Sequence, residues 1–438
     1  MRKTKMVSLA SLAAVIALSA CSSSTSTEPA PKSTAETKKE PFELVFASHL
    51  GMSQETFNKE IGDPIRQKFP YITPKYIERG NGTNLNDLVS AGTAPDITWF
   101  VHSSFVNTIQ QLGLDYDLTD LIKKYNYDMN RYYPQALETL KYYTGGKGIY
   151  GIPKEISQSV LYYNKDIFDI FGVPYPKDGM TWDDAYELAR TMTRTVDGTS
   201  YRGMSSFYST ILRENQLSIS PLIPTEDKPN VNNDQWKQLL LTLDKIYKIP
   251  GNNRPTNTRS ITPEVEQFEK QLNVATLISG YGRQVNFPPN LNWDVVSMPT
   301  FKDKPKVGQQ SSPTFWGITP TSKHKDEAFE VIMYLMNDER MMDNSKKGLL
   351  TPVNKPEIRK AFGTDAPELK GKNLEAAYFN TYAPIEPPRA QGLNNAIRQD
   401  AINIVNDAFT DMILNNIDVN TALRQADEKI TQKFAEKK

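Results

Sequence analysis

Cysteine occurs once in the 438 residues, at Cys21. A disulfide within the chain is thereby excluded, as is a zinc or iron–sulfur site built on cysteines. Histidine is nearly as scarce: His49, His102 and His324 stand far apart, without the His-x-x-x-His spacing of a helical metal site. Net charge is also missing, at 51 basic against 51 acidic residues, so the basic footprint of a nucleic-acid binder is absent. No apolar run reaches the ~20 residues of a spanning helix. There is no Gly-x-Ser-x-Gly elbow. Gly145, Gly146, Lys147 and Gly148 stand outside any phosphate-loop pattern and read as a turn. Asp183 and Asp184 are adjacent, and adjacent helix positions do not face each other, so they read as capping or solvated residues. Nothing marks the paired carboxylates of a glycosidase. No catalytic residue, metal or cofactor is expected.

What is present begins with the N-terminus. Arg2, Lys3 and Lys5 are followed by an apolar stretch from Met6 to Leu18 and by small residues up to Ala20 and Cys21. That is the anatomy of a secretory leader, 1–21. Leu18, Ser19, Ala20 and Cys21 also resemble the lipobox of bacterial lipoproteins, which implies a lipid on Cys21 after cleavage. Two acyl chains suffice for a stable anchor. Without the leader's three cations the balance is 48 against 51. Residues 22–41 are Ser, Thr, Pro, Lys and Glu with almost nothing apolar, and read as a disordered tether that cannot bury enough surface to offset ordering. Lacking disulfides, the remainder must be held by its core, and a chain beyond ~250–300 residues is expected to divide into more than one.

Order is expected from Phe42. Phe42 to Ser48 reads as a strand. Ser53 to Phe69 reads as a helix, with Phe57, Ile61, Ile65 and Phe69 four apart. Strands follow at Tyr71 to Arg79 and Pro95 to Phe100, around a short helix at Asn84 to Ala91. This alternation predicts an α/β fold with a mostly parallel, doubly wound sheet, whose ligands sit beyond the carboxyl ends of the strands, where Trp99 and His49 fall. Further on, Val160 to Lys165, Leu272 to Ser279, Trp293 to Pro299 and Thr314 to Thr319 read as strands. Helices are expected at Thr181 to Arg194, where Thr181 and Asp184 make a capping pattern, and at Asp234 to Lys248, Lys325 to Asn337, Ala396 to Leu414 and Asn420 to Phe434.

Aromatics are plentiful, with 21 tyrosines and 5 tryptophans. Trp182 and Trp236 lie on apolar helix faces and read as core. Trp99, Phe207 with Tyr208, Tyr281 and Trp316 stand near Gly, Pro or Asn at strand ends. Tyr and Trp offer an apolar face and a hydrogen-bonding edge. A sugar is divided in the same way, between a C–H face and a rim of hydroxyls, so stacking with a few polar partners would recognise it. Trp99, Tyr208, Tyr281 and Trp316 are the stacking candidates. His49, Glu155, Arg283 and Arg389 are the polar ones.

Several motifs together resemble one family. They are Ala94-Pro95-Asp96-Ile97, Tyr150-Gly151-Ile152-Pro153, Leu161-Tyr162-Tyr163-Asn164-Lys165-Asp166-Ile167-Phe168 and Thr181-Trp182-Asp183-Asp184, followed by Asn273 to Tyr281, Phe315-Trp316-Gly317-Ile318 and Gly348 to Val353. From Phe42 to Lys438 the chain is similar to family 1 of the extracellular solute-binding proteins, the group that includes maltose-binding protein. The resemblance implies a two-lobe periplasmic-binding-protein-like fold with a ligand cleft between lobes joined by hinge crossovers near Lys154, Thr314 and Val353. The lobes would be 42–154 with 315–353, and 155–314 with 354–438. It implies capture of a sugar or oligosaccharide by closure, without catalysis, and delivery to the permease subunits of an ABC importer. The protein would be a monomer, lipid-anchored on the outer face of the cell membrane in a Gram-positive-type envelope. By resemblance to maltose-binding protein, aromatics at the position of Tyr281 and in the Tyr208 region would face the sugar, as would an acid near Glu155. Glu155 lies two residues further from Asn164-Lys165-Asp166 than the pattern has it. The family's last stacking tryptophan has no counterpart, its region holding Arg389, Gln391 and Asn395. A non-sugar ligand (a peptide or an organic cation), a surface-anchored carbohydrate-active enzyme and a sensor for a membrane kinase remain alternatives.

Overall fold

The structure, a computed structural model, describes residues 40–254, 260–390 and 392–436. Cys21, the leader, nearly all of the tether and Gln391 lie outside the described residues. Twelve strands are present among those described. The first five are β1 (Phe42–Ser48), β2 (Ile72–Ile77), β3 (Ile97–Val101), β4 (Ile152–Glu155) and β5 (Ser159–Asn164). Then come β6 (Arg194–Val196), β7 (Thr199–Ser206), β8 (Val274–Gly280) and β9 (Trp293–Ser297). The last are β10 (Val307–Gln310), β11 (Thr314–Ile318) and β12 (Thr381–Ala383).

They build two five-stranded sheets and one small pair. The first sheet has the order β2-β1-β3-β11-β4, and the second β6-β7-β8-β5-β9, with β10 beside β12. In the first, β1 runs parallel to β2 and β3, and only β11 runs against its neighbours. The second is more mixed than a doubly wound sheet: β5 runs against β8 and β9, and β6 against β7.

Each sheet is covered on both faces, which is what an α/β fold requires. Side chains alternate across a strand. In the first sheet Leu44, Phe46, Ile97, Trp99, Trp316 and Ile318 enter one core, while Ala47, Phe100 and Phe315 enter the other. In the second, Leu161 and Tyr163 face one core and Val160 and Tyr162 the opposite one.

Local chemistry sets the helices. Thr181 and Asp184 form a reciprocal capping box at the start of the helix Trp182–Met192, whose Trp182, Ala185, Ala189 and Met192 are buried. Trp182 and Trp236 are core residues, as expected, and their indole N–H groups donate to Gln216 and to the Ser220 carbonyl. The stretch predicted as one helix from Ser53 to Phe69 is an α-turn, Gln54–Phe57, a π-helical turn, Asn58–Gly62, and a second α segment, Asp63–Lys68. Apolar residues at strict four-residue spacing drift around a 3.6-residue helix by about 40° per turn. The wider π turn absorbs that drift and keeps Phe57, Ile61 and Ile65 buried together.

The chain passes between the sheets directly from β4 to β5. A second passage leads from β9 through β10 to β11. On the third, Val353 and Ile358 pack in a core of the first sheet and Phe362 onward in a core of the second.

Candidate functional site

Strand register places the site. At one edge of the first sheet lie Ser48, Val101, Glu155 and Thr314, since Ser48 pairs with Trp99 and Thr314 with both Val101 and Glu155. At one edge of the second lie Ser206, Gly280, Ser159 and Ser297. Only Ile156, Ser157 and Gln158 separate Glu155 from Ser159, so these edges cannot be more than about 14 Å apart there. The carboxyl ends of β3 and β4 therefore meet the carboxyl ends of β7, β8 and β9.

A cleft of ≈ 520 Å³ opens along this seam. Its volume lies within the ~300–1,000 Å³ of small-ligand sites. The first sheet's side contributes Lys154 and Glu155, Trp316, and Lys59, Glu60, Ile61 and Pro64 from the π-interrupted helix. Arg340, Met341 and Asn344 come from the helix Asp338–Lys346, and Lys347 to Pro352 from the loop behind it. Across the cleft stand Tyr281 and Gly282, just past β8. A shallower hollow of ≈ 470 Å³ beside Phe168, Gly172 and Tyr175 involves one helix and its C-cap loop only, and draws nothing from the other sheet.

Two aromatics that line the cleft carry buried polar atoms left unpaired among the described residues. Tyr281 follows the end of β8, its backbone N–H donating to the Gln158 carbonyl at 2.7 Å. Gly282, at φ 106°, lets the chain turn away immediately afterwards. The Tyr281 ring rests against Phe362, with centroids 5.5 Å apart, and its buried hydroxyl has no hydrogen-bond partner among the described residues. Burial, with the charge of Glu368, pushes that phenol's pKa upward, so it stays a protonated donor. Trp316 on β11 is 2% exposed, and its indole N–H is likewise buried without a partner among the described residues. Lys154 holds its ammonium 5.4 Å from the Trp316 ring centre. The register between β4 and β11 skips Lys154, and this bulge re-aims its side chain. Lys154 also pairs with Glu155. Arg340 donates to the Glu60 carbonyl at 2.7 Å, while its Nε is buried and unpaired.

Of the eight proposed contact residues, the structure brings Tyr281, Trp316 and Glu155 to the cleft. Trp99 lies one ring behind, packed edge-on to Trp316 at 5.6 Å and beside Tyr76 at 5.5 Å. Tyr208 is in a core of the second sheet: its hydroxyl meets Thr410 at 3.0 Å and Arg254 at 3.1 Å, and its ring packs on Phe409. Strand-end position suggested exposure there, but Tyr208 opens the short helix Tyr208–Arg213, whose inner face is buried. Arg283 forms a two-pronged pair with Glu269 at 2.5 and 3.0 Å. Arg389 is bound to Asp227 at 2.7 Å and to the carbonyls of Ile223, Glu226 and Asn394, which ties two loops together. His49 ends up just past β1, its carbonyl accepting from Arg79. Lys59, Arg340 and Lys347 were not singled out in the sequence. The available signal was the spacing of Arg340, Asn344 and Lys347, which places three polar side chains on one helical face.

A second polar set crosses the same seam. His102, just after β3, has Nε2 3.4 Å from Glu214, which follows the helix after β7, and Nδ1 3.4 Å from the Pro313 carbonyl. Each ring nitrogen thus faces an oxygen acceptor. Arg213 reaches Glu214 at 2.8 Å. Burial alone would raise the Glu214 carboxyl, but His102 and Arg213 reverse that and hold it at about 2. The Tyr143 ring lies 5.4 Å from that of His102, and the Arg398 guanidinium lies 5.6 and 5.3 Å from the Tyr142 and Tyr143 rings and donates to Glu386 at 2.5 Å. Among the described residues no group of three or more His, Cys, Asp or Glu could hold a metal ion, and no helix is long and apolar enough to cross a membrane.

With two facing sheets and a cleft between them, comparison with known proteins is decisive. Residues 80–371, more than half of the chain, match the family of bacterial extracellular solute-binding proteins. The chain is a member of that family. This solute-binding protein is 23% identical over 356 residues to the arabinooligosaccharide-binding protein of Bacillus subtilis (strain 168), covering 77% of its own length and 78% of the relative's. In structure it is similar to an ABC substrate-binding protein from Listeria monocytogenes in complex with cycloalternan, with a TM-score of 0.70 at 18% identity, over 90% of this chain and 100% of that one. A sugar transporter protein from Rhizobium etli in an open conformation gives a TM-score of 0.69 at 17% identity, over 89% and 99%. The fold is therefore that of the two-lobe periplasmic solute-binding proteins. The family and these neighbours are binding proteins rather than enzymes, and the family's place is outside the cytoplasmic membrane.

Proposed function

We propose that this solute-binding protein captures a sugar or oligosaccharide in the ≈ 520 Å³ cleft and passes it to the permease subunits of an ABC importer. The observation that carries the reading is the pair of aromatics, Tyr281 and Trp316, which line the cleft from opposite sheets with unpaired hydrogen-bonding edges. A polyhydroxylated ring supplies what such edges lack and an apolar face as well. The relatives' ligands, an arabinooligosaccharide and cycloalternan, support the same class. An organic cation fits poorly, since Lys59, Lys154, Arg340 and Lys347 all border the cleft.

Lobes 42–154 with 315–353 and 155–314 with 354–438 would close over the ligand by a hinge motion at the three passages. The event is then closure, not reaction, and the protein acts as a monomer. Trp316, Tyr281 and Glu155 are the contact residues in this reading, with Trp99 supporting Trp316. Lipid on Cys21 and the tether 22–41 would keep the protein beside its permease in an envelope of Gram-positive type, where no outer membrane retains it.

Calorimetry of the full chain against arabinan, mannan and glucan oligosaccharides, peptides and choline tests the ligand class. Saturable binding of a saccharide alone is the expected result. Binding of a peptide or choline with none of a saccharide would refute the reading, as would turnover of a glycan. A Cys21→Ala protein should appear in the medium and still bind, and its retention on cells would refute the anchor.

A further inference from the structure

We propose that the cleft selects an acidic carbohydrate, one that carries the carboxylate of a uronic acid, over its neutral counterpart. This rests on the carbohydrate reading above and names the chemical class within it.

The charge inventory of the cleft is one-sided. Four cations, Lys59, Lys154, Arg340 and Lys347, border it against two carboxylates, Glu60 and Glu155. Glu155 is already matched by Lys154. Arg340 donates to a backbone carbonyl and makes no ion pair among the described residues. Lys59 and Lys347 are exposed and make no ion pair among the described residues. The cleft thus carries a surplus of two positive charges.

Its unpaired polar atoms have the same bias. Trp316 Nε1 and Arg340 Nε can only donate, and the Tyr281 hydroxyl, neutral because its pKa is raised, is free to donate as well. A neutral sugar hydroxyl offered to such a set accepts one bond and leaves its own proton to be placed. A carboxylate is acceptor-only, with about four acceptor sites, and charge-assisted bonds of this kind are the stronger ones. Trp316 is also not open on both faces: Trp99 packs edge-on to it and the Lys154 ammonium lies over its ring. Lys154 therefore stands where a stacked neutral ring would approach, and the unmatched cations that a ligand carboxylate would meet are Lys59, Arg340 and Lys347.

The test uses matched pairs on the full chain by titration calorimetry: trigalacturonate with galactotriose, trimannuronate with mannotriose, and glucuronosyl-xylotriose with xylotriose. At 20 mM salt at least one acidic member is expected to bind tenfold or more tightly than its neutral partner. That ratio should shrink in 300 mM salt, because Lys59 and Lys347 are exposed and screened. It should also fall at least fivefold in the K59Q/K347Q double variant, whose replaced side chains are on the surface and leave the core untouched. A neutral member binding as tightly as its acidic partner would overturn the proposal and leave the carbohydrate reading standing. A preference for sulfated galactotriose over trigalacturonate would overturn the uronate assignment. Failure of every acidic and neutral probe would overturn both readings together.

Discussion

Tyr281 is the residue at which stability and binding are predicted to part. Its hydroxyl is buried and unpaired, and an unpaired buried polar group costs free energy that its removal restores. Tyr281→Phe should therefore leave the free protein at least as stable, within ~1 kcal/mol. Ligand affinity should fall by about 0.5–1.5 kcal/mol, the net worth of one hydrogen bond. Denaturant titration and calorimetry on the same preparation check the two halves. His49 is a residue of a different kind. Burial first, and Arg79 second, bring its imidazole down to about 4. The unfolded chain, with an ordinary value near 6.5, binds the proton earlier on acidification. The stabilising contribution is complete above 6.5 and is lost as pH falls towards 4. Nuclear magnetic resonance should show the His49 ring titrating near 4, and a midpoint at 6.5 would contradict the half-buried placement beside Arg79.

Elements are held by contacts that single substitutions can probe. The helix Trp182–Met192 owes its start to the capping box of Thr181 and Asp184, and Thr181→Ala should cost about 1 kcal/mol. The same helix packs on β7 at Gly203, where an added methyl would overlap the Ala189 carbonyl. Backbone cannot yield as a flexible side chain does, so Gly203→Ala should cost about 2–3 kcal/mol, at the upper end for an overpacked methyl. Urea unfolding of both variants gives the order. A Gly203→Ala protein less affected than Thr181→Ala would mean that the strand and helix are not in close contact.

For the whole molecule the decisive contacts are those that cross between the sheets. Glu214 is held at about 2 by His102 from the other sheet and by Arg213 beside it. Its folded value lies below the ordinary 4.5, so its contribution is complete above 4.5 and lost as pH falls towards 2. Acid unfolding is expected to have an upper limb between 6.5 and 4 from His49 and a lower one between 4.5 and 2 from Glu214. Glu214→Gln should flatten the lower limb only and cost about 3–5 kcal/mol at pH 7, since it breaks a buried pair across the sheets. Scanning calorimetry from pH 7 to 3 checks both. An unchanged profile would mean that the pair does not hold the two sheets together.

Most of the elements could be read from the sequence because periodicity and capping are local. The expected strand at Phe42 to Ser48 is β1 itself, and Thr181 with Asp184 placed a helix start at the right residue. The family motifs were legible for the same reason, each being a short contiguous run. The cleft was not legible, because it is assembled from the ends of β4 and β8, one face of Asp338–Lys346 and a π turn. Whether a strand-end aromatic faces ligand or core depends on which side of the strand it occupies and on what lies beyond it. Tyr281 and Tyr208 have similar surroundings in the sequence, yet only Tyr281 has the opposing lobe in front of it, while Phe409 and Thr410 close over Tyr208. Arg283 and Arg389 look like free cations until Glu269 and Asp227 are brought to them. Sequence by itself determined the single cysteine and with it the absence of disulfides, the α/β class and the two-lobe family. Tertiary structure decided which side chains share the cleft and with what surplus of charge, because charge pairing and burial depend on residues distant in the chain.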